Sequence, residues 1–368
     1  MQAKIPLSDS TIHLDLKTEI SSISKDSIHA FEEVLENYFQ ADKKIVALNS
    51  GTSAIHLALI LSGITKGDEV LCQSFTYVAT VNPVIYQNAT PIFIDSEKET
   101  WNMCPIHLEE AIKDRILKGK KPKAIIVVHL YGMPAQMDQI VKISKKYKIT
   151  LIEDAAEALG SEYKGKKCGT FGDFGIISFN NNKIISTLGG GALICNTEKE
   201  KNKAIFYASQ SKEKALHYEH KELGYNYRMN TVAAIIGLEQ MLLLNENKKR
   251  RRAINNYYNH FFKKYNDINV LTEKSNDYSS NHWLSCIKII GKSAKEKKEK
   301  IMLCLENNNI ETRSLWKPMH LQPVFKGTPY YGNDISENLF NFGLCLPSGS
   351  NLKNDVLKII TSSIHKLL

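Results

Sequence analysis

Nowhere in the chain do eighteen apolar residues follow one another, so no segment has the length and apolarity of a membrane-spanning helix. The start, Met1-Gln2-Ala3-Lys4-Ile5-Pro6, lacks the apolar core of a signal peptide, and the expected location is the cytoplasm. Cysteine is sparse and unpatterned: seven residues, at 72, 104, 168, 195, 286, 304 and 345, with no CxxC pair. That argues against a disulfide scaffold and predicts reduced, mostly buried thiols. No Cys/His cluster at metal spacing is present. His217 and His220 stand three apart without a third ligand, so no metal site is expected. Neither an internal repeat nor a low-complexity linker breaks the 368 residues.

What is there is a soluble-type composition, 43% hydrophobic and 24% charged, enough for one large domain and a smaller one. The net charge of +9 sits largely in short runs at 118–123, 248–252 and 292–300, which read as solvated helix faces or loops. No aromatic-interleaved basic stripe accompanies them, so nucleic acid is not an expected partner. A surplus of positive charge does suit a small anionic substrate.

From residue 52 to 160 the pattern alternates. Helical spacing over 52–64, 76–87, 107–117 and 137–147 separates strand-like runs at 69–74, 90–96, 124–132 and 150–160. β-branched strands interleaved with amphipathic helices predict a mostly parallel sheet flanked by helices. The pattern changes at a long helical stretch over 232–265. A strand at 282–290, a helix at 294–309 and a strand at 310–316 follow. The reading is a large domain over 1–245 and a smaller C-terminal α+β domain over 246–368.

Ligands of open parallel sheets sit at the carboxyl ends of the strands. After "KIVALNS" come Gly51 and Thr52, opening a helix whose N–H groups suit a phosphate or simply form a capped start. Phe75 follows the next strand. Asp154 and Glu157 follow "TLIE", and Asp154 could equally cap a helix. "ISFNNNKIISTLGGGAL" then sets Lys183 between two strand-like runs with glycines close behind. A surface lysine needs no such setting; a nucleophilic one does. If Lys183 binds pyridoxal phosphate as a Schiff base, each feature acquires a task. Asp154 keeps the ring nitrogen protonated, Gly51, Thr52 and Ser178 donate to the phosphate, and Phe75 stacks on the ring. In the C-terminal part, Trp316, Lys317 and His320 in "LWKPMH" set two potential cations beside an aromatic. That arrangement suits a diphosphate as well as it suits a structural role.

The segments "ALNSGTSAIHLAL", "SFTYVATVNPVIYQNATPIFID", "HLYGMPAQMD", "LIEDAAEALGSEYKGKKCGTFGDFGIISFNNNKIISTLGGGAL", "GYNYRMNTVAAIIGLEQ", "ETRSLWKPMHLQPVF" and "CLPSG" occur in a specific order and spacing. By them the chain resembles the DegT/DnrJ/EryC1/StrS family of pyridoxal phosphate-dependent sugar-nucleotide aminotransferases over nearly its whole length. The resemblance implies the aspartate aminotransferase-like fold (fold type I), with Lys183 the Schiff-base lysine and Asp154 the partner of the pyridine nitrogen. It implies Glu157 near the ring hydroxyl, where many relatives carry Gln. It places Asn226 of "GYNYR" on the phosphate of a neighbouring subunit, so that a homodimer shares its active sites. Tyr227 and Arg228 would support that loop, and His217 would lie on the sugar side. One departure is clear: "SDSTIHLDLKTEISSISKDSIHAFEE" lacks the glycine-bearing helix and P-x-G turn that usually precede "FE", in a part that commonly helps frame the substrate.

Within the family the resemblance is nearest to enzymes forming UDP-N-acetylbacillosamine. The expected reaction moves an amino group, from glutamate, to carbon 4 of a UDP-linked 4-keto-6-deoxy sugar. GDP-perosamine-type and 3-amino sugar enzymes are the alternatives. Sugar dehydratases of the same family carry His where this chain has Lys183. A non-catalytic regulator would not need both Lys183 and Asp154.

Overall fold

A computed structural model describes residues 4–9, 26–39 and 42–368. Its main sheet is built from seven five-residue strands, Lys44–Leu48 (β1), Glu69–Gln73 (β2), Thr90–Ile94 (β3), Ala124–Val128 (β4), Thr150–Asp154 (β5), Phe174–Ser178 (β6) and Gly191–Cys195 (β7). With Tyr330–Tyr331 at one edge, the spatial order is β1-β7-β6-β5-β4-β2-β3 and then that edge strand. All neighbours from β6 to the edge run parallel, while β7 is antiparallel to both β1 and β6. The sequence explains the parallel part: Ala-Ile-Ile-Val-Val of β4 is buried at every position, the signature of a strand covered on both faces. The fold is the mostly parallel, helix-flanked sheet expected of fold type I.

The expected elements hold with local corrections. The run at 76–87 is a 3-10 turn, Val78–Thr80, and a short helix, Asn82–Tyr86, with Pro83 in its first turn. The strand expected over 150–160 stops at Asp154, and that over 310–316 shortens to Arg313–Ser314. The second sheet is antiparallel, in the order Ile268–Val270, Ser285–Ile289, Gly343–Leu346, Arg313–Ser314.

One helix, Thr231–Phe262, spans 32 residues and joins the two parts. Its first half packs Ala233, Ala234 and Leu244 with Phe31, Phe179 and Ile185. Its second half packs Ile254, Tyr258 and Phe262 with Ile287 and Leu346. The boundary drawn at 245/246 therefore falls inside a continuous helix. Ile5 and Leu7 go with the second part: Ile5 exchanges backbone hydrogen bonds with Asn309 and Glu311, and the Ser348 N–H donates to the Leu7 carbonyl. Most of the atypical N-terminal segment, residues 10–25, lies outside the described residues.

The antiparallel β6–β7 pair answers the question of the lysine. Ser178 pairs with Gly191, and the chain between them leaves the sheet as a loop carrying Lys183. Gly191 is required there: a Cβ would stand 2.4 Å from the Gly51 nitrogen, at the start of helix Gly51–Leu61. The glycine lets a strand and a helix N-terminus meet beside the loop.

Candidate active site

Those elements enclose a cavity of about 580 Å³. Its wall carries Gly51, Thr52, Asp154, Glu157, Ser178 and Lys183, six of the residues singled out above. Lys183 is the one lysine among the described residues on that wall. Its side chain is 12% exposed, with Nζ 3.6 Å from Glu157 Oε1 and 4.0 Å from the centre of the Trp283 ring. Trp283 is held in turn: its Nε1 donates to the Asn182 carbonyl at 2.7 Å, and its own carbonyl accepts from the fully buried Arg251. The amine thus stands between a carboxylate and an aromatic face, largely out of water.

Asp154 ends β5 inside the cavity. Its Oδ2 accepts from Thr80 Oγ1 at 2.7 Å and its Oδ1 from the Ala156 N–H at 3.1 Å. No helix follows it, so capping is not its task. Burial raises its pKa, against the pull of Thr80, the Ala156 N–H and Lys183. A carboxylate left in this condition gains from a cation placed against it. Glu157 is also buried. Its Oε2 accepts from the Tyr131 N–H at 2.7 Å, and burial pushes its pKa up to about 7 despite Lys183. At the helix start, Ser50 is the cap, accepting from the Ser53 N–H at 3.1 Å. The first intrahelical bond runs from the Ala54 N–H to the Ser50 carbonyl, so the Gly51 and Thr52 N–H groups precede it. Lys183, the buried carboxylate of Asp154 and this N-terminus beside Ser178 fit the aldehyde, ring nitrogen and phosphate of pyridoxal phosphate.

The Glu157 shift carries a pH signature in the cofactor-free protein. Between the ordinary 4.5 and about 7, the folded state holds a proton that the unfolded state has lost. Stability therefore falls as pH rises through that window and levels off above it. The stability of the wild type relative to Glu157→Gln should fall by about 3 kcal/mol from pH 4.5 to 7. Urea melts of both proteins across this range measure it; parallel pH profiles would refute the assignment.

Several expected contacts fall elsewhere. Phe75 is fully buried against Tyr131, ring centres 6.2 Å apart, and is not on the cavity wall. The chain bends at 74–76 after β2, which turns Phe75 into the core and brings Tyr77, 58% exposed, to the wall. The aromatic of this segment on the wall is Tyr77, with Trp316 at 5.4 Å from it also on the wall. His320 is tied to its own chain on both sides of the ring. Its Nδ1 lies 2.7 Å from Ser74 Oγ, its Nε2 3.0 Å from Glu337, and its ring stacks on Tyr330 at 3.8 Å. Both ring nitrogens have a partner within the chain. Lys317 is half-buried and off the wall; the cation missed in the same segment is Arg313, which lines the cavity. His217 is exposed beside Glu219, and His220 Nδ1 donates to the Gln210 carbonyl. Asn226 is exposed, and its carbonyl accepts from the cavity residue Asn49 at 3.1 Å. Tyr227 and Arg228 do tie that loop down, through His56 at 3.1 Å and Glu32 at 2.7 Å.

A parallel sheet whose strand ends gather a half-hidden lysine, two buried carboxylates and a helix N-terminus defines a pyridoxal phosphate enzyme of fold type I. The sequence model of the DegT/DnrJ/EryC1/StrS aminotransferase family matches residues 16–365, and the chain belongs to that family. It is a pyridoxal phosphate-dependent aminotransferase. Among curated relatives, EpsN of Bacillus subtilis, named by inference as a pyridoxal phosphate-dependent aminotransferase, is 44% identical over 92% of this chain and 88% of its own. GDP-perosamine synthase of Escherichia coli O157:H7 is 37% identical over 90% of this chain and 88% of its own. UDP-4-amino-4,6-dideoxy-N-acetyl-beta-L-altrosamine transaminase of Campylobacter jejuni is 37% identical over 74% and 67%. Helicobacter pylori PseC, an aminotransferase involved in pseudoaminic acid biosynthesis, superposes with a TM-score of 0.89 at 25% identity, covering 99% of each chain. No helix among the described residues is long and apolar enough to cross a membrane.

Proposed function

We propose that the chain transfers an amino group from glutamate to carbon 4 of a nucleotide-linked 4-keto-6-deoxy sugar, with UDP-2-acetamido-2,6-dideoxy-hexos-4-ulose as the acceptor. The observation that carries the reading is the convergence of Lys183, Asp154 and Glu157 on one cavity whose wall also carries the cation Arg313. Bound pyridoxal phosphate supplies the electron sink. Lys183 moves the proton, taking it from the donor α-carbon and later delivering it to carbon 4 of the sugar. Asp154 holds a proton at the ring nitrogen, and the N–H groups of Gly51 and Thr52 with the Ser178 hydroxyl hold the phosphate. Arg313 and Trp316 face the incoming diphosphate and sugar. A soluble, cytoplasmic homodimer is part of the reading, with Asn226 serving the neighbour's phosphate. Leu216, Tyr218 and Leu223 stand exposed in the segment before Asn226, and exposed Leu188 adjoins the cavity residue Gly189, as an interface requires.

The second reading, a GDP-linked acceptor, is favoured by the perosamine synthase relative. Incubation with UDP- and GDP-linked 4-keto-6-deoxy sugars plus glutamate, with products read by mass and NMR, separates the two. Conversion of the UDP sugar at least tenfold faster supports the first. Faster conversion of the GDP sugar installs the second, and amination of neither removes both.

A further inference from the structure

A second cavity, about 770 Å³, opens where the two parts of the molecule meet. The segment after β3 supplies Lys98 and Trp101, the end of the long helix Lys263, and the second sheet and its loop Lys288 and Lys274. None of these four lysines forms an ion pair with a described carboxylate. The cations just outside are neutralised: Arg252 meets Glu273 at 2.5 Å, and Lys297 pairs with Asp267. Among the described residues, one acidic side chain, Glu99, lines the groove. Lys288 is half-buried, and its pKa is lowered by burial and then by the charge of Lys98, so the two ammonium groups feel one another. Lys98, Lys263 and Lys274 are exposed around the half-buried Lys288, and like charges gathered at one groove repel unless an anion joins them. The remaining lining is rich in amides, Asn259, Asn269 and Asn338 among them, which donate hydrogen bonds to phosphate oxygens. The size lies within the range of small-ligand sites, about 300–1,000 Å³.

The floor of this groove is not separate from the catalytic cavity. Trp101, Leu271 and Leu339 line it and belong to one packed cluster with Tyr131, Trp283 and Trp316. Trp283 and Trp316 form the wall of the first cavity. The two openings thus lie against one apolar cluster, and the basic groove holds none of the residues assigned to chemistry.

We propose that this groove is a second binding site, for a small diphosphate anion, either free pyrophosphate or the diphosphate of a nucleotide, held by Lys98, Lys263, Lys274 and Lys288. The proposal does not depend on which sugar the enzyme aminates. Its test is calorimetric titration of the holoenzyme with inorganic pyrophosphate and, separately, with UDP, at low salt. The charge-reversed Lys98→Glu/Lys263→Glu protein runs alongside. Both positions are exposed, so the fold should tolerate the change, and a thermal melt matching the wild type checks that it does. The expected result is saturable binding that the double variant weakens at least tenfold, with turnover in the absence of added anion unchanged. Equal sensitivity for pyrophosphate and UDP identifies the diphosphate alone as the recognised group. Sensitivity for UDP only means that the nucleoside also contributes. No saturable binding, or binding indifferent to the charge reversal, overturns the proposal, since indifferent binding belongs to the catalytic cavity.

Discussion

Replacing Lys183 by alanine should lower turnover by at least about 10⁴-fold, the loss expected when one group serves both as cofactor anchor and as proton carrier. No second lysine lines the cavity among the described residues, so no other lysine amine is placed to take over. The variant should still retain pyridoxal phosphate, through the helix N-terminus at Gly51 and Thr52, Ser178 and Asp154. Cofactor content after gel filtration therefore separates lost chemistry from lost binding. Borohydride treatment of the wild type should fix the cofactor to the peptide containing Lys183. Label on a different lysine, or turnover within tenfold of wild type, would remove Lys183 from its role. The same variant tests the shared site. Mixed with Asn226→Ala chains and allowed to exchange, it yields hybrid dimers in which one site carries both defects and the other neither. Activity should rise above both parents, towards about a quarter of wild type at equal mixing. If Asn226 served its own chain, every hybrid site would carry one defect and nothing would be regained.

Lys183 and Asp154 were legible in the sequence for a physical reason. Each is a charged residue where the local pattern demands apolar or small ones, Lys183 ahead of three glycines and Asp154 at the end of a β-branched strand. The parallel sheet was legible because runs such as Ala124–Val128 are apolar at every position. What was not legible depended on contacts that no local pattern reports. Phe75 and Tyr77 sit two apart in one segment, and the bend that buries the first and exposes the second depends on what packs beneath. For His320 the sequence leaves a diphosphate contact and a structural role equally open; Ser74, 246 positions earlier, and Glu337 on its two nitrogens are contacts only the fold brings together. Trp283 lies inside the run 282–290 expected as a strand; only the folded chain puts its ring 4.0 Å from Lys183 Nζ. The boundary expected at 245/246 follows a change of pattern, and the helix Thr231–Phe262 runs through that point without a Gly or Pro near it.

Asp154→Asn should separate activity from stability. The amide has the shape of the carboxyl group it replaces. Its oxygen can still accept from the Ala156 N–H, and its NH₂ can donate to Thr80 Oγ1, which passes its own proton to Thr76 Oγ1 at 2.7 Å. Geometry is kept and only the negative charge is lost. In the cofactor-free protein that charge is unfavourable. Burial holds the folded pKa above the ordinary value of 3.8, so stability falls as pH rises from 3.8 through the folded pKa, and the full cost is present above it. At neutral pH the cofactor-free variant should therefore melt no lower than the wild type. Turnover should nevertheless drop by about 10²–10³-fold, the cost of removing one preorganised electrostatic contact from a reacting centre. The two effects have opposite signs because the carboxylate is costly by itself and useful only against the protonated ring nitrogen. Near-normal turnover would show that the ring nitrogen does not need Asp154. A fall in melting temperature accompanying the fall in rate would instead make the residue a structural support.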